Sequence, residues 1–153
     1  MKFEDYYQIE KLITRYSQCA DRAEFEEIAE LYKHCVLYMP GGLVIDVRRD
    51  GVGRYLEWCK RVIRVYPDSG TPKTRRIVGT IIIDDDGVDR AKSEWNVVCF
   101  QATKDLPLQA IAAATLYDKY EKVEEQWRLV ERREDLELIG DLSHHVRFEE
   151  VNR

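Results

Sequence analysis

The chain has 153 residues, a formal net charge of −5, and 44% hydrophobic against 35% charged residues. That length suits one domain, residues 1–153, with a proper core, and the composition is that of a water-soluble globular protein. The negative charge argues against nucleic acid or an anionic membrane surface as the main partner. No apolar run is long enough to cross a bilayer. The opening Met1-Lys2-Phe3-Glu4-Asp5 has no apolar signal core, so a cytoplasmic location is expected. Cys19, Cys35, Cys59 and Cys99 lie far apart without CxxC spacing, which predicts free thiols and no zinc.

Ile9, Leu12, Ile13, Tyr16, Cys19 and Ala20 recur at three- and four-residue steps and predict a helix. Phe25, Ile28, Ala29, Leu31 and Tyr32 predict a second, shorter one, with Asp21 in the corner between them. Cys35–Met39 and Leu43–Val47 are short strand candidates on either side of Pro40-Gly41-Gly42. Asp50-Gly51 then starts a third helix, with a stripe of Val52, Tyr55, Leu56, Cys59, Val62, Ile63 and Tyr66. After Pro72 the pattern turns to strands: Arg76–Ile83, Ala91–Ala102, Leu108–Val123 and Trp127–Leu138. The turns between them are short, so neighbouring strands are expected to be antiparallel. Asp84-Asp85-Asp86-Gly87 reads as one of these turns, because consecutive carboxylates on a tight turn diverge instead of converging on a metal.

The helical pair ending at Cys19-Ala20-Asp21 is one part of a family pattern. The others are Lys73–Thr80 leading into a strand, Leu116–Val123, Trp127–Arg133 and the closing Gly140–His145. Together they resemble the SnoaL-like branch of the NTF2-like superfamily, whose members include scytalone dehydratase, steroid isomerase and polyketide cyclases. The resemblance implies an α+β cone, with a bent antiparallel sheet curled around a pocket and N-terminal helices closing one side. It also implies chemistry without a cofactor and association as a homodimer or homotrimer.

For the site, the resemblance places Asp21 where the dehydratases carry an acid that orients a proton-moving histidine. That histidine belongs where this chain has Arg76, and a second one near Cys99. Neither is present. Arginine stays charged and is no ordinary base. Three readings of Asp21 and Arg76 therefore stay open. Asp21 is the base and Arg76 stabilises an oxyanion; or the two form a structural ion pair; or Arg76 binds an anionic group of the ligand. Tyr16 and Tyr38 are candidate donors to a substrate carbonyl. Trp95, Cys99, Tyr55, Leu116 and Tyr117 are candidate pocket-wall residues. One of His144 and His145 is a candidate for the pocket mouth.

The expected function is proton transfer on a small apolar oxygenated molecule (polyketide, terpenoid, steroid or aromatic) by a lyase, isomerase or cyclase. The alternative is a non-catalytic ligand-binding or oxygenase small-subunit-like protein. An enzyme predicts an open cavity with Asp21 facing it and no direct arginine clamp. The alternative predicts Asp21 locked to Arg76 and a pocket that is small or shut.

Overall fold

The structure, a computed structural model, describes residues 1–151. Helix α1 runs over Phe3–Asp21 and buries Ile9, Ile13, Ser17, Cys19 and Ala20. Its start is tied to the far end of the sheet. Asp5 accepts from Trp127 Nε1 at 2.8 Å and from Lys122 Nζ at 2.9 Å, and these bonds pull its carboxyl down to about 2. A left-handed Ala23 turns the chain into α2, Phe25–Leu31.

Strands β1 (Val36–Tyr38) and β2 (Val44–Asp46) form a small hairpin. The predicted strand over 43–47 is cut short by Asp46, whose side chain accepts from Arg49 N–H and starts the one-turn helix α3, Val47–Asp50. Gly51, at φ +85°, then redirects the chain into α4, Val52–Val62. The apolar stripe predicted to continue to Tyr66 leaves the helix at Ile63. Ile63 pairs with Val146, and Tyr66 with Thr71, as isolated bridges.

The four long strands are β3 (Thr74–Asp85), β4 (Arg90–Gln101), β5 (Gln109–Val123) and β6 (Gln126–Ile139). The order in the six-stranded sheet is β2-β1-β6-β5-β4-β3. All pairings are antiparallel except β1 with β6, which is parallel. The sheet is mixed as a result, where sequence reading expected an antiparallel one.

Irregularities in pairing bend this sheet and decide which side chains face inward. Tyr120 pairs with Leu129, but Lys119 pairs with Glu131, so Val130 is an extra residue in β6. Strand side chains alternate, and one extra residue reverses the phase. Trp127 and Leu129 point inward before the bulge, and Arg132, Glu134 and Leu136 after it. A second extra residue, Ile111 in β5, sits between the pairs Cys99–Ala112 and Phe100–Ala110. The concave face is packed by α1, α2 and α4. The main apolar cluster there includes Ile9, Ile28, Ile45, Tyr55 and Leu129.

Candidate functional site

Between the concave sheet face, the helices and the C-terminal segment lies a cavity of about 270 Å³. That is near the lower end of the range for small-molecule pockets. Its wall is mostly apolar, with Phe25, Ile28, Leu37, Val97, Leu116 and Leu136 among its members.

Asp21 and Arg76 meet at one end. Arg76 donates from Nη1 to Asp21 Oδ1 at 2.8 Å and from its backbone N–H to Oδ2 at 2.8 Å. Thr74 Oγ1 donates to Oδ1 at 2.9 Å. Asp21 closes α1 and Thr74 opens β3, so the pair clasps helix to sheet. The carboxylate is occupied from three directions, and Asp21 is not part of the cavity wall. Arg76 is. Its Nε and Nη2 have no partner among the described residues.

The remaining predicted site residues are placed as follows. Tyr16 lines the cavity from α1, and its hydroxyl has no partner among the described residues. Burial raises its pKa, so it stays a protonated donor. Tyr38 lies at the rim and is 41% exposed. Tyr55, Cys99 and Leu116 are in the wall, and burial pushes the Cys99 thiol up, which leaves it inert. Trp95 is fully buried behind the wall, with Nε1 donating to Asp118 at 2.8 Å and its ring packed edge-on to Tyr16. Tyr117 stands on the opposite, convex face, under the Arg133 guanidinium. Its neighbours in β5, Leu116 and Asp118, take the concave side. Tyr117 is therefore corrected from a wall residue to an outer-face one.

Two wall groups, Glu134 and Arg132, escape simple sequence reading, and a third, His145, is one of the two candidates for the pocket mouth. Glu134 is half-buried and has no hydrogen bond or ion pair among the described residues. Burial raises its pKa above the ordinary carboxyl value, against the pull of Arg76 and Arg132. Arg132 is held by Asp118 and stacked under the rings of Tyr16 and Trp95. His145, 7% exposed, lines the wall from the C-terminal segment, and burial together with Arg76 lowers its pKa to about 3. A straight alternation from Trp127 puts Glu134 and Arg132 outside. The signal against that was the apolar phase itself, odd at Trp127 and Leu129 but even at Leu136.

The described residues bring ligand atoms of Cys19, Glu24 and Glu27 within 4.8 Å of one another, and none of the three residues is in the cavity wall. Arg15 ion-pairs with both glutamates there and occupies the space a cation would need.

A long bent sheet closed by N-terminal helices over an apolar cavity, with a few polar groups in its wall, defines the class of small α+β cone proteins. The sequence profile of the SnoaL-like domain matches residues 1–133, so the chain belongs to that family. No curated protein compared with it matches. Among solved structures, it is similar to a Nostoc punctiforme protein of unknown function with a cystatin-like fold. Identity is 16%, the TM-score 0.72, with 93% of this chain and 98% of that one covered. It is also similar to a Novosphingobium aromaticivorans protein provisionally named a scytalone dehydratase (24% identity, TM-score 0.67, 90% and 87% covered). A third is the beta subunit of a provisionally named aromatic-ring-hydroxylating dioxygenase from the same organism (16%, TM-score 0.70, 94% and 98% covered). At these identities the likeness shows the cystatin-like fold. No helix among the described residues is long and apolar enough to cross a membrane.

Proposed function

We propose that the protein transfers a proton beside a carbonyl of a small, largely apolar oxygenated molecule, without a cofactor. Isomerisation, elimination or ring closure would follow. The observation that carries this reading is the unpaired carboxylate of Glu134 in the wall of an apolar cavity that also presents Arg76. A desolvated carboxylate with a raised pKa is a stronger base than one in water. An arginine with free N–H groups stabilises the enolate oxygen that forms when the proton leaves.

In this reading Glu134 is the base and Arg76 holds the developing oxyanion. Asp21 and Thr74 position the guanidinium. Tyr16 donates to the same oxygen, and Tyr38 stands at the entrance. The base has moved from Asp21, the sequence-based candidate, because the Asp21 oxygens are already engaged. Substrate entry is from the rim, and Leu116 and Tyr55 supply apolar contact. The exposed Ile77, Leu138 and Ile139 on β3 and β6 suit association into a homodimer.

The test is solvent deuterium incorporation into 2-tetralone, followed by NMR. The wild-type protein is expected to exchange the α-hydrogens about 10²-fold or more faster than Glu134→Gln. Equal rates for the two proteins would remove Glu134 as the base. A second reading is favoured by one observation, the closed Asp21–Arg76 clamp, which was the expectation for a protein that binds without catalysis. The cavity is nevertheless open, which was one part of the expectation for an enzyme; the other parts, Asp21 facing the cavity and no direct arginine clamp, are not met. Exchange no faster than in buffer, with the ketone demonstrably bound, would select the binding reading.

A further inference from the structure

The cavity wall holds two arginines, and each already has an acid of its own. Arg76 is paired with Asp21 at 2.8 Å, and Arg132 with Asp118 at 2.7 Å. Glu134 stands in the same wall with no ion pair among the described residues. Two cations set against three acids leave one negative charge over, and it lies on Glu134.

No other group of the wall cancels that charge. His145 is held in place because His144 next door is fixed through its carbonyl, which accepts from Tyr66 Oη at 2.5 Å and Gln101 Nε2 at 3.0 Å. The His145 imidazole stays neutral, since burial and Arg76 lower its pKa to about 3. Burial also keeps Tyr16 on α1, Tyr32 after α2, Tyr55 and Cys59 on α4 and Cys99 on β4 in their uncharged forms. Tyr38 of β1 stands at the rim, and β5 brings only apolar residues to the wall.

The odd carboxylate is within a ligand's reach. Its oxygens, unlike Trp58 Nε1 and His145 Nδ1, are not sealed from a water-sized group, and neither are Nε and Nη2 of Arg76. A cavity of about 270 Å³ offers no position far from Glu134. A second anion there meets the first in surroundings that screen charge poorly. A cation would suit Glu134, yet it would also face the open N–H edge of Arg76. We infer that the cavity takes up an anion only together with one proton, held by Glu134, and that its own ligand is a carbonyl compound whose buried part is uncharged. The inference rests on the proposed function and names the substrate class for that site: neutral ketones, as opposed to carboxylates or phosphates. The proposed reaction has the same charge balance. When Glu134 takes a proton from a neutral ketone, the cavity holds one enolate and one protonated acid. An added carboxylate reaches that state by drawing the proton from solvent.

The experiment is calorimetric titration of the full chain from about pH 6 to about pH 8 with three ligands on one bicyclic skeleton. They are neutral 2-tetralone, anionic tetralin-2-carboxylate and cationic 2-aminotetralin. The wild-type dissociation constant of the carboxylate is expected to rise by about tenfold per pH unit, while that of 2-tetralone stays flat. Glu134→Gln should flatten the carboxylate slope and bind the carboxylate at pH 8 at least about tenfold more tightly than wild type. Misfolding only weakens binding, so a gain cannot come from a damaged variant, and the wild-type slope needs no variant at all. Four outcomes overturn the inference: a flat wild-type slope, a slope that persists in Glu134→Gln, 2-aminotetralin bound about tenfold more tightly than 2-tetralone, or a carboxylate that binds neither protein. Binding is read without turnover. Equal proton exchange by wild type and Glu134→Gln, with the slopes as expected, would strike the catalytic reading alone and leave the charge balance standing.

Discussion

Asp118 and Arg132 face each other across β5 and β6 in a two-pronged pair. Nε donates to Oδ1 at 2.8 Å and Nη2 to Oδ2 at 2.7 Å. Arg132 also donates to Tyr32 Oη at 2.8 Å, and Asp118 accepts from Trp95 and Tyr120. The acid is fully buried and the base nearly so. Removing one partner strands the other in a medium that cannot solvate it. Arg132→Met is expected to cost about 3–5 kcal/mol of stability in urea unfolding, and Asp118→Leu with Arg132→Met together to recover much of that. A single-variant loss below about 1 kcal/mol would show that the pair is not coupled as drawn.

His145 gives the protein an acid sensitivity of its own. Its folded-state pKa, about 3, lies below the ordinary histidine value of 6.5. Between the two, the unfolded chain takes up a proton that the folded protein refuses. Stability is therefore complete above 6.5 and declines as pH falls through that value toward 3. At pH 4.5 the loss is about 2–3 kcal/mol relative to pH 7. His145→Gln should remove this component from the stability profile. A variant with the same pH slope as wild type would locate the proton uptake elsewhere.

The exchange rate proposed for Glu134 should have an acid limb of its own. The base works only when ionised, and burial holds its pKa above the ordinary carboxyl value of 4.5. Activity should therefore rise with pH through a midpoint above 4.5 and then level. Arg76→Leu should shift that midpoint upward, since it removes a cation that favours the ionised form. An unchanged midpoint would place Arg76 too far away to act on the base.

The turn from β5 to β6 is made by Glu124 and Glu125, at φ +49° and +63°. Two consecutive left-handed residues suit a two-residue hairpin, for which Asn-Gly is the favoured sequence. Glu124→Asn with Glu125→Gly is expected to stabilise the protein by about 1 kcal/mol. The loss of the Lys122–Glu125 contact at 3.1 Å partly offsets the gain, because Glu125 is exposed. A lowered melting temperature would show that the glutamates contribute more than backbone strain costs.

The order of helices and strands was legible because apolar spacing changes from helical to alternating after Pro72 and turn residues separate the runs. The Asp21–Arg76 contact was legible as one of three open readings, and its partners Thr74 and the Arg76 backbone were not. Arg132 and Glu134 were hidden because a charged stretch carries no apolar phase of its own, and Val130 reverses the phase inside it. Asp118 was closer to view. It shares the even-numbered face of Ala114, Leu116 and Tyr120, so a buried acid could have been read there. His145 was ambiguous between two adjacent histidines until the bonds of the C-terminal segment fixed its neighbour.

The parallel pairing of β1 with β6 joins Val36 to Glu131 and Tyr38 to Arg133. The early hairpin thus has its sheet partner near the other end of the chain. During synthesis the helices and β1 emerge long before the strand they dock beside. Until β6 is made, the apolar faces of α1 and α2 have no complete sheet to cover. Such long-range closure slows folding and leaves apolar surface exposed while it waits. The nascent chain is then the stage most exposed to aggregation, and truncation before residue 131 should yield chaperone-bound or insoluble product instead of a smaller folded domain.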